Sequence, residues 1–260
     1  MLLAGFLGLA VCFWAAVRPE PQPDVEKAAR SPAARAADRT ATAESDRQLD
    51  RLKAALPWAS PLGTTVADVC TTSAVNHMGF ARQRWNPVTC TRTSTAYLAF
   101  DGDFRQHLVL LDTALAGAGW RTDDRLPLRT PEPPGLAAAF DYGHQPPGDA
   151  TAAQIAEAAA RPDVATVRYT LPNGTGYAPP PGADVAPAGP GATVEVVRAP
   201  HLPALDDGTS AHDLTLKYPT VRTSWFVDWQ PCSRAELAAA YPAHSAVVAV
   251  SLRFPYHATQ

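Results

Sequence analysis

Two cysteines constrain this chain more than any other feature. In "DVCTTSAVNHMGFARQRWNPVTCTR", Cys70 and Cys90 stand twenty residues apart, with no CxxC spacing and only His77 between them. Zinc sites draw on thiolates and histidines at short spacing, which this stretch does not supply, so no metal is assigned to it. Two readings remain: free cysteines buried as small apolar side chains, or a disulfide. A disulfide closing a loop of this length stabilises by about 3 kcal/mol through lost loop entropy, and it persists only in an oxidising compartment. An apolar leader ahead of the pair favours the disulfide. Cys70 and Cys90 are then expected to staple a loop to the strand that follows it, in a domain that faces outward.

That leader is residues 1–17, "MLLAGFLGLAVCFWAAV", which carry no charged side chain. As a helix they cover about 25 Å, slightly short of a bilayer core but able to span it with thinning or snorkelling ends. A cleaved signal needs small residues one and three positions before the cut; Trp14 precedes Ala16, and Val17 is itself too large. A lipid-anchor signal would end at Cys12, yet the apolar run continues from Phe13 to Val17. An uncleaved transmembrane anchor fits best. Arg18, Lys27, Arg30 and Arg35 on the C-terminal flank argue formally for an inward-facing domain, a balance that a basic leader upstream would reverse. The disulfide arbitrates for single-pass anchoring in the cell membrane with an extracytoplasmic domain.

Residues 18–47 are short of large apolar side chains and carry balanced charge and several prolines. Such a segment buries too little surface to offset its ordering entropy, which predicts a flexible or partly helical stalk. Leu49, Leu52 and Leu56 then recur at helical spacing before Pro57, opening a single domain over residues 48–260.

Within that domain "VTCTRTSTAYLAF" (88–100) reads as a strand rich in threonine and aromatics. The turn Asp101-Gly102-Asp103 follows, either aspartate being able to cap the next helix. That helix lines up Phe104, Leu108, Leu111 and Leu115 and ends in "AGAGW". A proline-rich connection (127–147), a helix near 150–160 and a strand through Val167, Tyr169 and Leu171 come next. A long loop then leads to a strand over 193–198, which predicts a long hairpin. Alternation from Val221 to Trp229 gives another strand, Ser233 and Glu236 form a capping box, and "SAVVAVSLRFPYH" closes the chain as a strand with Val248, Val250, Leu252 and Phe254 on one face. The order of elements predicts an α+β fold: a mostly antiparallel sheet with helices packed on one face.

Candidate chemistry is sparse. The formal net charge is −3, without a basic run able to neutralise successive phosphates, so nucleic acid is not an expected partner. There is no GxSxG, SxxK, P-loop or complete dinucleotide fingerprint, and no cofactor is implied. The densest grouping is "HLPALDDGTSAHD", where His201, Asp206, Asp207, His212 and Asp213 fit a solvated acidic loop better than a cation site. His107, a helical turn from Phe104 and Leu111, reads as a core-edge histidine. Cys232, ahead of a helix, reads as a buried or capped thiol, the alternative being a nucleophile activated by the helix dipole. Trp225 and Trp229 lie on the opposite strand face from Phe226, with Tyr241 and Tyr256 near in sequence; core packing outweighs a ligand platform.

The segments "NPVTCTRTSTAYLAFDGDF…LLDTALAGAGW" and "SWFVDWQPCSRAELAAAYPAHSAVVAVSLR" resemble uncharacterised membrane-anchored exported proteins of high-GC Gram-positive bacteria. The likeness covers roughly residues 54–120 and 220–252, rests on structural motifs, and brings no catalytic residue with it. The expected function is a membrane-anchored, extracytoplasmic binding or envelope-associated module of unknown ligand. The competing expectation is an anchored or secreted hydrolase whose site is assembled from dispersed residues such as His201, Asp206 and His212.

Overall fold

In the computed structural model, which describes residues 20–75, 84–122, 134–171, 190–198, 201–203, 223–230, 232 and 234–258, Cys70 lies inside a strand. This strand, β1 (Ser60–Val75), pairs antiparallel with β3 (Thr89–Phe100), and Cys70 stands directly opposite Cys90. The two sulfurs are bonded. The bond therefore ties strand to strand; the loop expected on the Cys70 side is itself part of the sheet. Pro61 and Gly63 obscure the start of β1 in the sequence, because both weaken a strand reading. The register slips between them, so the irregularity they mark is a bulge that carries Leu62. A two-residue strand, β2 (Arg84–Trp85), pairs with Ala74 and Val75 at the far end of β1.

The segment expected to be a stalk is helical. After α1 (Val25–Ala29), α2 runs from Pro32 to Ala55, with the Ser31 side chain accepting from the Ala34 N–H and proline in the first turn. It crosses the boundary at residues 47 and 48 drawn from composition. Ala34, Ala41, Ser45, Gln48 and Leu52 are all buried at three-, four- and seven-residue spacing, so one stripe of α2 lies against β3 and β8. Small side chains make that stripe: they let the helix sit close to the sheet while giving little hydrophobic signal.

The remaining elements follow the periodicities more closely. Asp103 caps α3 (Phe104–Gly117), accepting from the Gln106 N–H, and Phe104, Leu108, Leu111 and Leu115 are its buried face. Gly119, at φ +82°, turns the chain after the helix. After β4 (Arg121–Thr122) come α4 (Leu136–His144), which falls inside the stretch expected to be a proline-rich connection, and α5 (Ala152–Ala159) with a capping box from Thr151 and Gln154. The predicted long hairpin is present as β5 (Val164–Thr170) and β6 (Gly191–Arg198). The chain closes through β7 (Thr223–Gln230), α6 (Arg234–Ala240) and β8 (Ala246–Ala258). Ser233 lies outside the described residues, so its part in a capping box does too.

Eight strands form one sheet in which β1, β3, β8, β6, β5 and β4 are successive neighbours; β7 pairs along β1, and every pairing among the described residues is antiparallel. The fold is α+β. Alternation sends Ala96, Leu98 and Phe100 of β3, Val248, Val250, Leu252 and Phe254 of β8, and Val194 and Val196 of β6 into one core with α2, α3 and Leu136 of α4. Most helices pack on that face. The short helix α6 does not: its Leu237 joins Tyr97 and Ala249 on the opposite face, together with Leu62, Leu202 and Cys232. Among the described residues no helix is long and apolar enough to cross a membrane, and residues 1–17, where the anchor is expected, lie outside them.

Candidate functional site

The disulfide sets the register that builds the site. With Cys70 opposite Cys90, antiparallel pairing places Asp68 opposite Arg92, two residues along and on the same face as the bond. On the other edge of β1, Asp68 faces Asp228 of β7. Helix α2 crosses above and contributes Asp38. The Arg92 guanidinium donates through Nη1 to Asp68 Oδ2 at 2.7 Å and to Asp38 Oδ1 at 3.0 Å, bridging sheet and helix. Both ends of the sheet pair are largely withdrawn from water, the Arg92 side chain being 13% exposed and that of Asp68 17%.

Asp38 and Asp68 thus share one inner guanidinium, and Asp228 stands opposite Asp68 on the other side of β1. Asp68 Oδ1 and Arg92 Nε are buried without a hydrogen-bond partner among the described residues. The imbalance shows in the Asp68 carboxyl, pushed up to about 6; burial is the main cause, the Arg92 charge opposes it, and Asp38 and Asp228 add to it. Tyr256 of β8 stands beside the pair, its hydroxyl 4.0 Å from Cys70 Sγ. Burial, reinforced by the charges of Asp68 and Asp38 and by the approach of the hydroxyl to the Asp68 carboxylate, holds its phenol protonated well above the usual tyrosine range. A cleft of about 380 Å³ opens over these groups, lined by Asp38, Asp68, Val227, Asp228 and Tyr256 and, from the helical side, by Ala29, Arg30 and Arg35.

No protein-family model, curated protein or solved structure matches this chain. The site has to be judged from its own chemistry.

That chemistry is of fixed charge and an open acceptor. An aspartate oxygen already desolvated and held by its neighbours costs little to reorganise when a donor arrives, which is what a small-molecule site needs. The volume lies in the range of such sites.

Of the residues singled out in the sequence, the bonded Cys70 and Cys90 and Tyr256 stand at this site, while Cys232 and His107 fall elsewhere. Cys232 lies on the opposite face, its Sγ 3.8 Å from Glu236 Oε2. Burial first and the Glu236 carboxylate second push its thiol up, which favours a protonated packing group over an activated nucleophile. A Cβ at Gly63 would sit 3.0 Å from this sulfur, which shows how closely β1 passes. Tyr241, half-buried, is pushed up to about 12 by burial and then by Glu195. His107 stacks on Phe100 and meets Trp58 edge-on, each at 4.6 Å between ring centres, and its Nδ1 is 2.7 Å from the Asp103 carbonyl oxygen: a satisfied core-edge histidine.

His201 is exposed, its N–H donating to the Arg198 carbonyl; Asp206, Asp207, His212, Asp213 and His77 lie outside the described residues. The strand β7 carries Trp225, Phe226 and Trp229, whose side chains also lie outside them. Asp101, His244 and Ser245 gather the residue types of a hydrolytic triad in the wrong arrangement. His244 Nδ1 is 3.0 Å from Asp101 Oδ2, and the Ser245 N–H and hydroxyl both reach Asp101 Oδ1, so imidazole and serine share an acceptor instead of facing each other. The trio latches the end of β3 to the start of β8.

Sequence reasoning missed Asp38, Asp68, Arg92 and Asp228. One signal was there: a charged residue two positions before one cysteine and an opposite charge two positions after its partner meet across any antiparallel pair that the disulfide joins. For Asp38 and Asp228 no such local signal exists.

Proposed function

We propose that this chain is an extracytoplasmic binding or envelope-associated module, held at the membrane by residues 1–17, with the cleft over Asp68 as its ligand site. The observation that carries the reading is the buried Asp68 Oδ1, an acceptor without a hydrogen-bond partner among the described residues, in a space that admits a small molecule. The disulfide supports an oxidising compartment, because a cytoplasmic thiol pool would keep Cys70 and Cys90 reduced. The resemblance to exported proteins of high-GC Gram-positive bacteria points the same way.

Two experiments test it. For binding, the full-length chain in neutral detergent is screened by thermal shift against cationic, zwitterionic, neutral and anionic small molecules, beside an Asp228→Trp variant that fills the mouth from an exposed position. At least one class should raise the unfolding midpoint of the parent chain and leave the variant unmoved; if no class does, the binding reading fails. For topology, intact cells carrying a Cys232→Ala background are treated with a membrane-impermeant maleimide. Labelling of Cys70 and Cys90 only after reduction supports the outward domain, whereas labelling that needs lysis but no reductant places the domain inside.

A further inference from the structure

We propose that the cleft seats its ligand through a positively charged nitrogen, an ammonium or guanidinium group, hydrogen-bonded to Asp68 Oδ1. This rests on the binding reading above and names the chemical class that fits it. Three elements each deliver a carboxylate to the same space: Asp38 from α2, Asp68 from β1 and Asp228 from β7. Arg92 is the inner cation, and one nitrogen of its guanidinium is shared between two of the three. The lip arginines match the remaining carboxylates in number, but both are exposed, whereas Asp68 is largely desolvated. Arg30 is drawn to Glu26 at 2.8 Å, and Arg35 is exposed to solvent at the cleft's edge.

A ligand entering this space meets a desolvated carboxylate oxygen that has no hydrogen-bond partner among the described residues and stands beside the Tyr256 hydroxyl. An anion would be placed against Asp68 and Asp228, and a neutral donor would satisfy the oxygen but leave the charge. A charged N–H donor does both at once and forms the stronger, charge-assisted bond. Tyr256 lines the same wall, and an aromatic ring beside a cation adds attraction.

The titration behaviour of the floor adds a consequence. Asp38, Asp228 and Arg92 are the charged groups facing Asp68 from α2, β7 and β3, Tyr256 faces it from β8, and Arg30 and Arg35 stand at the lip. Since Asp68 takes up a proton near pH 6, a cation and that proton compete for the same carboxylate. Affinity should fall about tenfold between pH 7.5 and pH 5.

The test is calorimetric titration of the full-length chain in neutral detergent with methylguanidinium and propylammonium. Tetramethylammonium serves as a cation without an N–H, and acetate and propionamide as anionic and neutral counterparts. Saturable binding of the first two, weaker binding of tetramethylammonium, and the pH dependence above are expected. Asp68→Asn, whose fold is checked by its unfolding midpoint, should weaken the two N–H cations at least tenfold at pH 7.5. Should that variant not fold, Asp228→Asn, altered at an exposed position, is expected to weaken them two- to threefold and to leave propionamide unaffected. Equal affinity in a folded variant, or no change with pH, overturns the proposal. Binding of acetate or propionamide alone overturns the cationic class and leaves the binding reading intact, whereas silence of every probe removes both.

Discussion

Asp112 sits on α3 but finishes a different helix. Its carboxylate accepts from the N–H groups of Leu136 and Ala137, at 2.7 and 3.0 Å, and takes the place of a capping side chain at Gly135, which has none. The Tyr169 hydroxyl, 3.4 Å from Oδ1, donates to the same carboxylate. A Cβ on Gly135 would lie 2.7 Å from the Asp112 carboxylate atoms. Gly135→Ala should therefore push the cap away and cost about 1–3 kcal/mol in urea unfolding, the scale of local overpacking. In an Asp112→Ala background the same change should cost much less, and equal costs would mean that the clash is relieved some other way. Asp68 supplies the second prediction at this scale. Its folded-state carboxyl titrates at about 6 against an ordinary 3.8, so the folded state binds the proton more tightly. The stabilisation from that proton is full below pH 3.8 and is lost as pH rises through 6, a loss of roughly 3 kcal/mol at one unit per 1.36 kcal/mol. Between pH 4.5 and 7.5 the parent chain should lose stability that Asp68→Asn does not lose; parallel curves for the two chains would refute the assignment.

At the scale of elements, the helices and strands that carry large apolar residues at a regular period were legible. These are α3 with its phenylalanine and leucines, β3, β5, β6 and β8 with their alternation, and the capped α5. The elements that escaped are β1, α4 and the part of α2 ahead of Leu49, and the physical reasons differ. Ahead of Leu49 that helix packs through alanine, serine and glutamine and has no hydrophobic stripe to find, so its binding to the sheet comes from close approach and from pairings such as that of Gln48, made after docking. Gln48 donates to Glu44 on the same helix and accepts from the Trp120 indole, a pairing that exists only once α2 and α3 are assembled. If α2 is part of the core, Ala41→Leu should cost about 1–3 kcal/mol by overpacking and Leu52→Ala about 2–5 kcal/mol by cavity formation, both read from urea unfolding. A tethering stalk would tolerate both within a few tenths. The strand β1 escaped because its proline, glycine and threonines read as loop until β3 and β7 pair with it on either side.

For the molecule as a whole, the last strand is placed where the fold can least spare it. The final element, β8, lies between β3 and β6 and pairs with each along most of its length, so it joins the β1–β3 half of the sheet to the β5–β6 half. Ending the chain at Ser245 would expose both halves along their inner edges, and the product should show no cooperative unfolding by circular dichroism; a sharp transition would mean that one half folds alone. The cleft depends on the same long-range closure. Asp38, Asp68, Arg92, Asp228 and Tyr256 are spread over most of the sequence, and only the stacking of α2 on a sheet whose end is completed by β7 and β8 brings them together. The sequence by itself determined what short-range physics can determine: the disulfide partners, the periodic elements, the turns and caps between them, and through those the α+β class. The tertiary structure alone decided which charges share a desolvated space. Burial, and with it an oxygen left without a donor, is a property of assembled surfaces and has no period along the chain.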